Sequence, residues 1–134
     1  MRQYDEFDIS ALDRAFDALE DEIEDGLSAA FRDASKRTAD AAKANHPWQN
    51  RSGDMEGAIK PIEPTGRALA NTLQAGVVID VPYASFLEGD DEHGPGIGNG
   101  KWQSLNPAFA TIEPTWERDS QAALDHAADR AGLR

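Results

Sequence analysis

A chain of 134 residues carrying a net charge of −12 is sized for one domain with a modest core, residues 1–134, and not for two. Its acidity argues against the DNA backbone as a main ligand, because phosphates meet like charge. The absence of cysteine excludes disulfides and thiolate metal sites, and the absence of an apolar run of about 18 residues excludes a membrane-spanning helix. Residues 1–8 are polar and acidic and lack the basic start and apolar stretch of a secretory signal. Nine arginines stand against four lysines among many acids and alanines. That balance suits a salt-rich cytoplasm, where the screening length is about 3 Å at molar salt, and a high-GC genome produces the same arginine bias.

Residues 10–45 read as one long helix. Apolar or small residues recur at Leu12, Phe16, Leu19, Ile23, Leu27, Ala30, Ala34, Thr38 and Ala41, a mean spacing near 3.6. This is the period of a straight amphipathic helix, not the 3.5 of a coiled coil. Ser10 suits the N-cap, with Asp13 three residues on. Residues 1–25 hold ten acids and two arginines, whereas Lys36, Arg37 and Lys43 lie near the far end, which complements the helix dipole. Pro47 stops the helix. Gly26 costs on the order of 1 kcal/mol against alanine in mid-helix and reads as a bend or as a tolerated residue. The stripe is one-sided and turns from large residues to alanine after Phe31. Such a helix must pack on its own sheet, on a neighbouring subunit, or on both.

The middle of the chain changes character. Residues 50–54 form a turn, followed by a short helix from Asp54 to Ile59. Pro61 and Pro64 bracket an extended piece. A hairpin is expected from Ala68–Leu73 and Val77–Val81 around a turn at Gln74-Ala75-Gly76. A short helix over Tyr83–Glu88 follows Pro82. Residues 89–101 carry five glycines and read as a flexible loop that orders against a partner. Leu105 to Leu133 is helical, with Pro107 in the first turn and a kink or restart at Pro114. The order is long N-terminal helix, small antiparallel sheet, C-terminal helix, an α+β pattern.

Few residues suggest chemistry. Glu88, Asp90, Asp91, Glu92 and His93 could ligate a metal or serve in acid–base catalysis, but their spacing fits no EF-hand, HExxH or zinc pattern. Gly94–Lys101 invites a phosphate-loop reading and fails it, because Trp102 stands where Ser or Thr is required. His46, His93 and His126 are scattered, without a triad pattern. Trp48, Trp102 and Trp116 sit at segment edges, where aromatics close a small core or anchor an interface. Core is the expectation for Trp48 and Trp116, and interface for Trp102.

The order of short motifs resembles the HK97 gp10-like neck and tail-completion proteins of tailed phages. Arg51-Ser52-Gly53-Asp54-Met55-Glu56-Gly57-Ala58-Ile59 is similar to the family's R-T/S-G-x-L-x-x-S-I element. That element follows a long helix ending near an hP turn, as at His46-Pro47. Val77 through Gly89 looks like the family's strand followed by Y-A-x-x-x-E-x-G, with Tyr83, Ala84 and Glu88 in place. Leu105-Asn106-Pro107-Ala108-Phe109 is similar to the F-x-x-P-A opening of the C-terminal helix. Met55 stands for the usual leucine and Ala58 for the usual serine. The resemblance covers about residues 10 to 130.

It implies a non-enzymatic virion protein, a neck or tail-terminator ring subunit at the head–tail junction, with no cofactor or metal. Its partners would be itself in a ring, expected to be a hexamer, and the tail-tube and head-closure proteins. Genome DNA would pass an acidic lumen without binding, and no membrane is involved. Its place would be the virion, and the host cytoplasm during assembly. Tyr83, Phe86, Trp102 and Phe109 are the expected interface anchors. Two other readings stand beside it. One is a small acidic adaptor or DNA mimic that occupies a basic partner. The other is a metal-dependent hydrolase using Glu88, Asp90 and His93.

Overall fold

In the computed structural model, the residues described are 9–47, 54–81, 84, 88–89 and 103–132. The fold is α+β. Helix α1 (Ile9–Ala44) leads to a single turn, α2 (Asp54–Gly57). Strands β1 (Ile59–Thr65) and β2 (Gln74–Ile79) follow, and then helix α3 (Leu105–Arg130). The long amphipathic helix forms where its 3.6-residue period places it, and the C-terminal helix begins at Leu105 as expected and ends at Arg130. Helix α1 is already under way at Ile9, so Ser10 lies within it rather than capping it. The helix ends ahead of Pro47, as the ring of that residue requires.

The two helices run antiparallel. Glu22 meets Arg130 at 3.5 Å, Gly26 lies against Ala123, and the Phe31 and Trp116 rings meet edge to face at 5.4 Å. Gly26 therefore marks the close approach of two helices. A Cβ built there would come within 3.1 Å of the Ala123 Cβ.

The sheet differs from the expected hairpin. The strand partner of β2 is β1, residues 59–65, and not Ala68–Leu73. Residues 68–71 are a turn, and Gln74-Ala75-Gly76, expected as the turn, already belong to β2. The prolines misled the reading, and the register shows why they are tolerated. Asp80 N–H donates to the Ala58 carbonyl at 3.0 Å, and Ile59 faces Ile79. Antiparallel pairs alternate, so the Pro61–Val77 pair is of the non-bonded kind and the missing N–H of Pro61 points away from β2. Pro64 falls in the register shift between Ile62 and Thr65. The short helix after residue 54 is also briefer than expected, because Ile59 already pairs as strand.

Helix α3 runs through Pro114 without interruption, so the expected restart does not occur. The carbonyl of Ala110, which loses its donor to Pro114, belongs to an exposed residue, where water can serve it. The helix closes at Ala131, and Gly132 follows at φ +74, the left-handed position that favours glycine.

All five elements meet in one core. Ala39 and Ala42 of α1 pack with Met55, Ala58, Ile59, Ile79, Ala84 and Ala108. Ile59 is the one large apolar side chain fully buried among the described residues. The rest of the core is largely alanine, while Leu12, Phe16, Ile62, Leu69, Val78, Phe109 and Leu124 are exposed. The core is thin, and several large apolar side chains stay outside it.

Candidate interaction surface

Two carboxylates hold the frame of the molecule. Glu24, on α1, receives the Ala68 N–H at 2.8 Å and the Leu69 N–H at 2.9 Å, with Arg67 at 3.7 Å. Those amides are free because the hairpin loop closes on itself. Thr72 N–H donates to the Arg67 carbonyl, Arg67 N–H donates to the Thr72 hydroxyl, and Asn71 N–H donates to the Ala68 carbonyl. The loop also needs Gly66, since a Cβ there would sit 2.0 Å from the Thr72 carbonyl oxygen. The Leu69 amide first, then the Ala68 amide, with Arg67 adding to them, hold the Glu24 carboxyl below its ordinary value against the upward push of desolvation.

Glu88 does the same for α3. Its carboxylate accepts from the Ser104 N–H at 2.9 and 2.6 Å, from the Leu105 N–H at 3.1 Å, and from the Ser104 hydroxyl. It caps the helix N-terminus, where amides and dipole favour an anion. Ser104, at the N-cap position, makes no side-chain cap bond of its own. The carboxylate that invited a metal reading is thus committed to the backbone. Its suggested partners Asp90, Asp91, Glu92 and His93 lie outside the described residues. Among the described residues, no three histidines, cysteines or carboxylates converge as a metal site would require. His46 Nε2 lies 3.2 Å from Glu56 and ties the end of α1 to α2. His126 is exposed on α3.

Of the expected anchors, Tyr83, Phe86 and Trp102 lie outside the described residues, as do Trp48 and the glycine-rich loop beyond Gly89. Phe109 lies on α3, 39% exposed, with its ring 6.0 Å from that of Trp116. Trp116 stands inside the continuous helix, not at a segment edge. It bridges Phe109 and Phe31. These rings form one wall of an open groove of about 550 Å³ between α1, β2 and α3. Phe31, Ala34 and Thr38 line it from α1, Leu73 and Val77 from the β2 side, and Leu105 and Phe109 from α3. No charged residue lines it. The buried Thr38 hydroxyl lines it too and has no hydrogen-bond partner among the described residues. Sequence reading missed this groove because its walls come from three segments far apart in the chain.

A second feature lies at the other end of α1. Arg130, the last residue of α3, stands opposite Glu22. Beyond Glu22, α1 continues N-terminally through Asp21 to Ile9, a stretch of about 20 Å. Leu12 and Phe16 on this extension are 49% and 48% exposed. One residue further round, Asp13, Asp17, Asp21 and Asp25 form an exposed ladder at four-residue spacing.

No family model, no curated protein and no solved structure matches this chain. Physics alone defines the class: an acidic α+β protein with several large apolar side chains exposed, Leu12, Phe16 and Phe109 among them.

Proposed function

We propose that this chain is a structural subunit of a tailed-virus particle, a neck or tail-terminator ring protein at the head–tail junction, with no chemistry of its own. The observation that carries an assembly role is the distribution of apolar side chains. The core holds five alanines with Met55, Ile59 and Ile79, while Leu12, Phe16, Phe109 and others face outward. A chain that keeps its large apolar surface for outside contacts is suited to burying it in an assembly.

The tailed-virus part rests on the ordered motif resemblance, and the packing is consistent with it. Met55, Ala58 and Ile59 of the first motif, Ile79 and Ala84 of the second, and Ala108 of the third share one core. Glu88 of the second motif caps the helix that the third one opens. The motifs thus make sense as framework, with the variable loop between them left for partners.

The test is the particle itself. Mass spectrometry of purified virions should find the chain at the copy number of a ring, and immunogold labelling should place it at the neck. A chain that is absent from purified particles would sink the reading. The acidic end of α1 favours one alternative, an adaptor for a basic protein. That reading requires a one-to-one complex that dissociates as salt rises.

A further inference from the structure

The sheet has one edge that is chemically closed and one that is open. On β1 the row of outward donors fails at Pro61 and Pro64, whereas β2 has no proline from Gln74 to Ile79. The ladder fixes which groups of β2 face outward. Asp80 N–H donates to the Ala58 carbonyl, so the Ile59–Ile79 and Pro61–Val77 pairs are both of the non-bonded kind. The Val77 N–H, the Val77 carbonyl and the Ile79 N–H therefore point away from β1. None of the three has a partner among the described residues. Ile79 is buried, and a buried amide N–H nearly always has a partner.

We propose that this edge receives a third strand, an extended segment of a partner polypeptide paired antiparallel with β2. The residue opposite Val77 would accept its N–H and donate to its carbonyl, and Ile79 N–H would donate to the residue two places earlier on the newcomer. The ladder would stop there, because the Ile79 carbonyl already accepts the Val81 N–H at 2.9 Å.

The architecture leaves room for such a strand. Helix α3 packs along α1, and α1 packs on both strands, while α3 has little direct contact with either strand. Two helices side by side span about 20 Å and two strands about 10 Å. The groove of about 550 Å³ opens beside β2, with Leu73–Val77 on one side and Phe109 and Trp116 on another. The buried Thr38 hydroxyl in its wall also has no partner.

The edge also specifies the chemistry of the newcomer. Val77 and Ile79 turn toward the helices, where Ile79 joins the core and Val77 packs against it. Residues opposite them turn the same way and meet an uncharged lining, so they are apolar. Asp80, just past the strand, is exposed and acidic, so the residue opposite it is basic. A second copy fits this poorly. With its β1 edge closed it could offer only β2, and residues 72–81 hold no basic residue. Two chains of −12 also repel.

The probe is the peptide Ac-Lys-Val-Thr-Val-Thr-Val-NH2, titrated into the full chain labelled with ¹⁵N. Its lysine falls opposite Asp80 and its central valine opposite Val77. The Val77 and Ile79 amide signals should shift. Methylating the nitrogen of the central valine removes the donor to the Val77 carbonyl and should weaken binding roughly tenfold or more. Replacing the lysine by glutamate should weaken it too. Val77→Pro removes the outward N–H, spares the ladder with β1 as Pro61 does opposite it, and should weaken binding of the unmodified peptide. Should that variant unfold, the methylated peptide on the wild-type chain makes the same test. No shift at about 1 mM peptide, shifts that spare Val77 and Ile79, or equal binding of the methylated or the glutamate peptide would overturn the proposal. A wild-type dimer that Val77→Pro dissociates would overturn it as well, by giving the edge to a second copy. The edge would take such a strand in a ring subunit and in an adaptor alike. Failure here therefore leaves the particle test untouched, and absence from particles leaves this edge untouched.

Discussion

Glu24 and Glu88 use the same physics, a carboxylate accepting two backbone amides from another segment. Each ties a distant segment in place, 44 residues away for Glu24 and 16 for Glu88. Glu24 makes a test with a definite sign. Its folded-state pKa lies below the ordinary 4.5, so the stability it contributes is complete above about pH 4.5 and fades as pH falls through the lower folded-state value. Glu24→Gln should lower the urea midpoint at pH 7, and its deficit relative to wild type should shrink below pH 4.5. A deficit that stays constant across that range would remove the charge from the account. Glu88→Ala should cost more, about 2–3 kcal/mol, because the Ser104 amide it strands is buried. Glu88→Gln keeps one acceptor oxygen and should lose less by the same urea titration. Neither role was legible in the sequence. An acidic residue on a helix reads as solvated surface until the turn it faces is known, and Glu88 stood among other acids that suggested metal chemistry.

At the scale of elements, legibility followed period and failed at pairing. The long helix was readable because nine positions repeat a 3.6-residue spacing, and β2 because Val77, Val78 and Ile79 are branched in a row. Its partner was not readable. Pro61 and Pro64 argue against a strand unless the alternation of hydrogen-bonded pairs is known, and that alternation depends on register. Gly26 was visible as an anomaly but not as a contact, since Ala123 lies about a hundred residues away. It now carries a prediction. Gly26→Leu forces α1 and α3 apart and should cost about 1–3 kcal/mol by chemical denaturation. Gly57→Ala is the contrast, with open space around the new methyl, and should be neutral or stabilise by about 0.5 kcal/mol. Equal effects at the two sites would show that helix propensity, and not the close approach, governs Gly26.

For the molecule as a whole, the excess of acid is distributed unevenly. The Asp13, Asp17, Asp21 and Asp25 ladder places like charges on adjacent turns of one helix, which destabilises that helix at low ionic strength. Added NaCl should raise the melting temperature, and Asp17→Lys should raise it at low salt while reducing the salt response. A melting temperature indifferent to salt would mean that the ladder costs the fold nothing. Composition announced this acidity but not its placement beside an apolar face. The candidate surface was legible in part. Phe109, named as an anchor, is 39% exposed, but the groove it shares with Phe31 and Trp116 needed the antiparallel crossing of α1 and α3.

A protein that displays apolar side chains on its surface is exposed to a particular hazard, uncontrolled growth by strand addition. A two-stranded sheet has two open edges, and a foreign strand needs a row of donors to copy. On β1 the outward donor at position 61 is missing, because proline fills it, and Pro64 interrupts the row again at the register shift. That edge is a poor template for amyloid-like stacking. A foreign strand that meets this edge finds too few donors to extend the sheet.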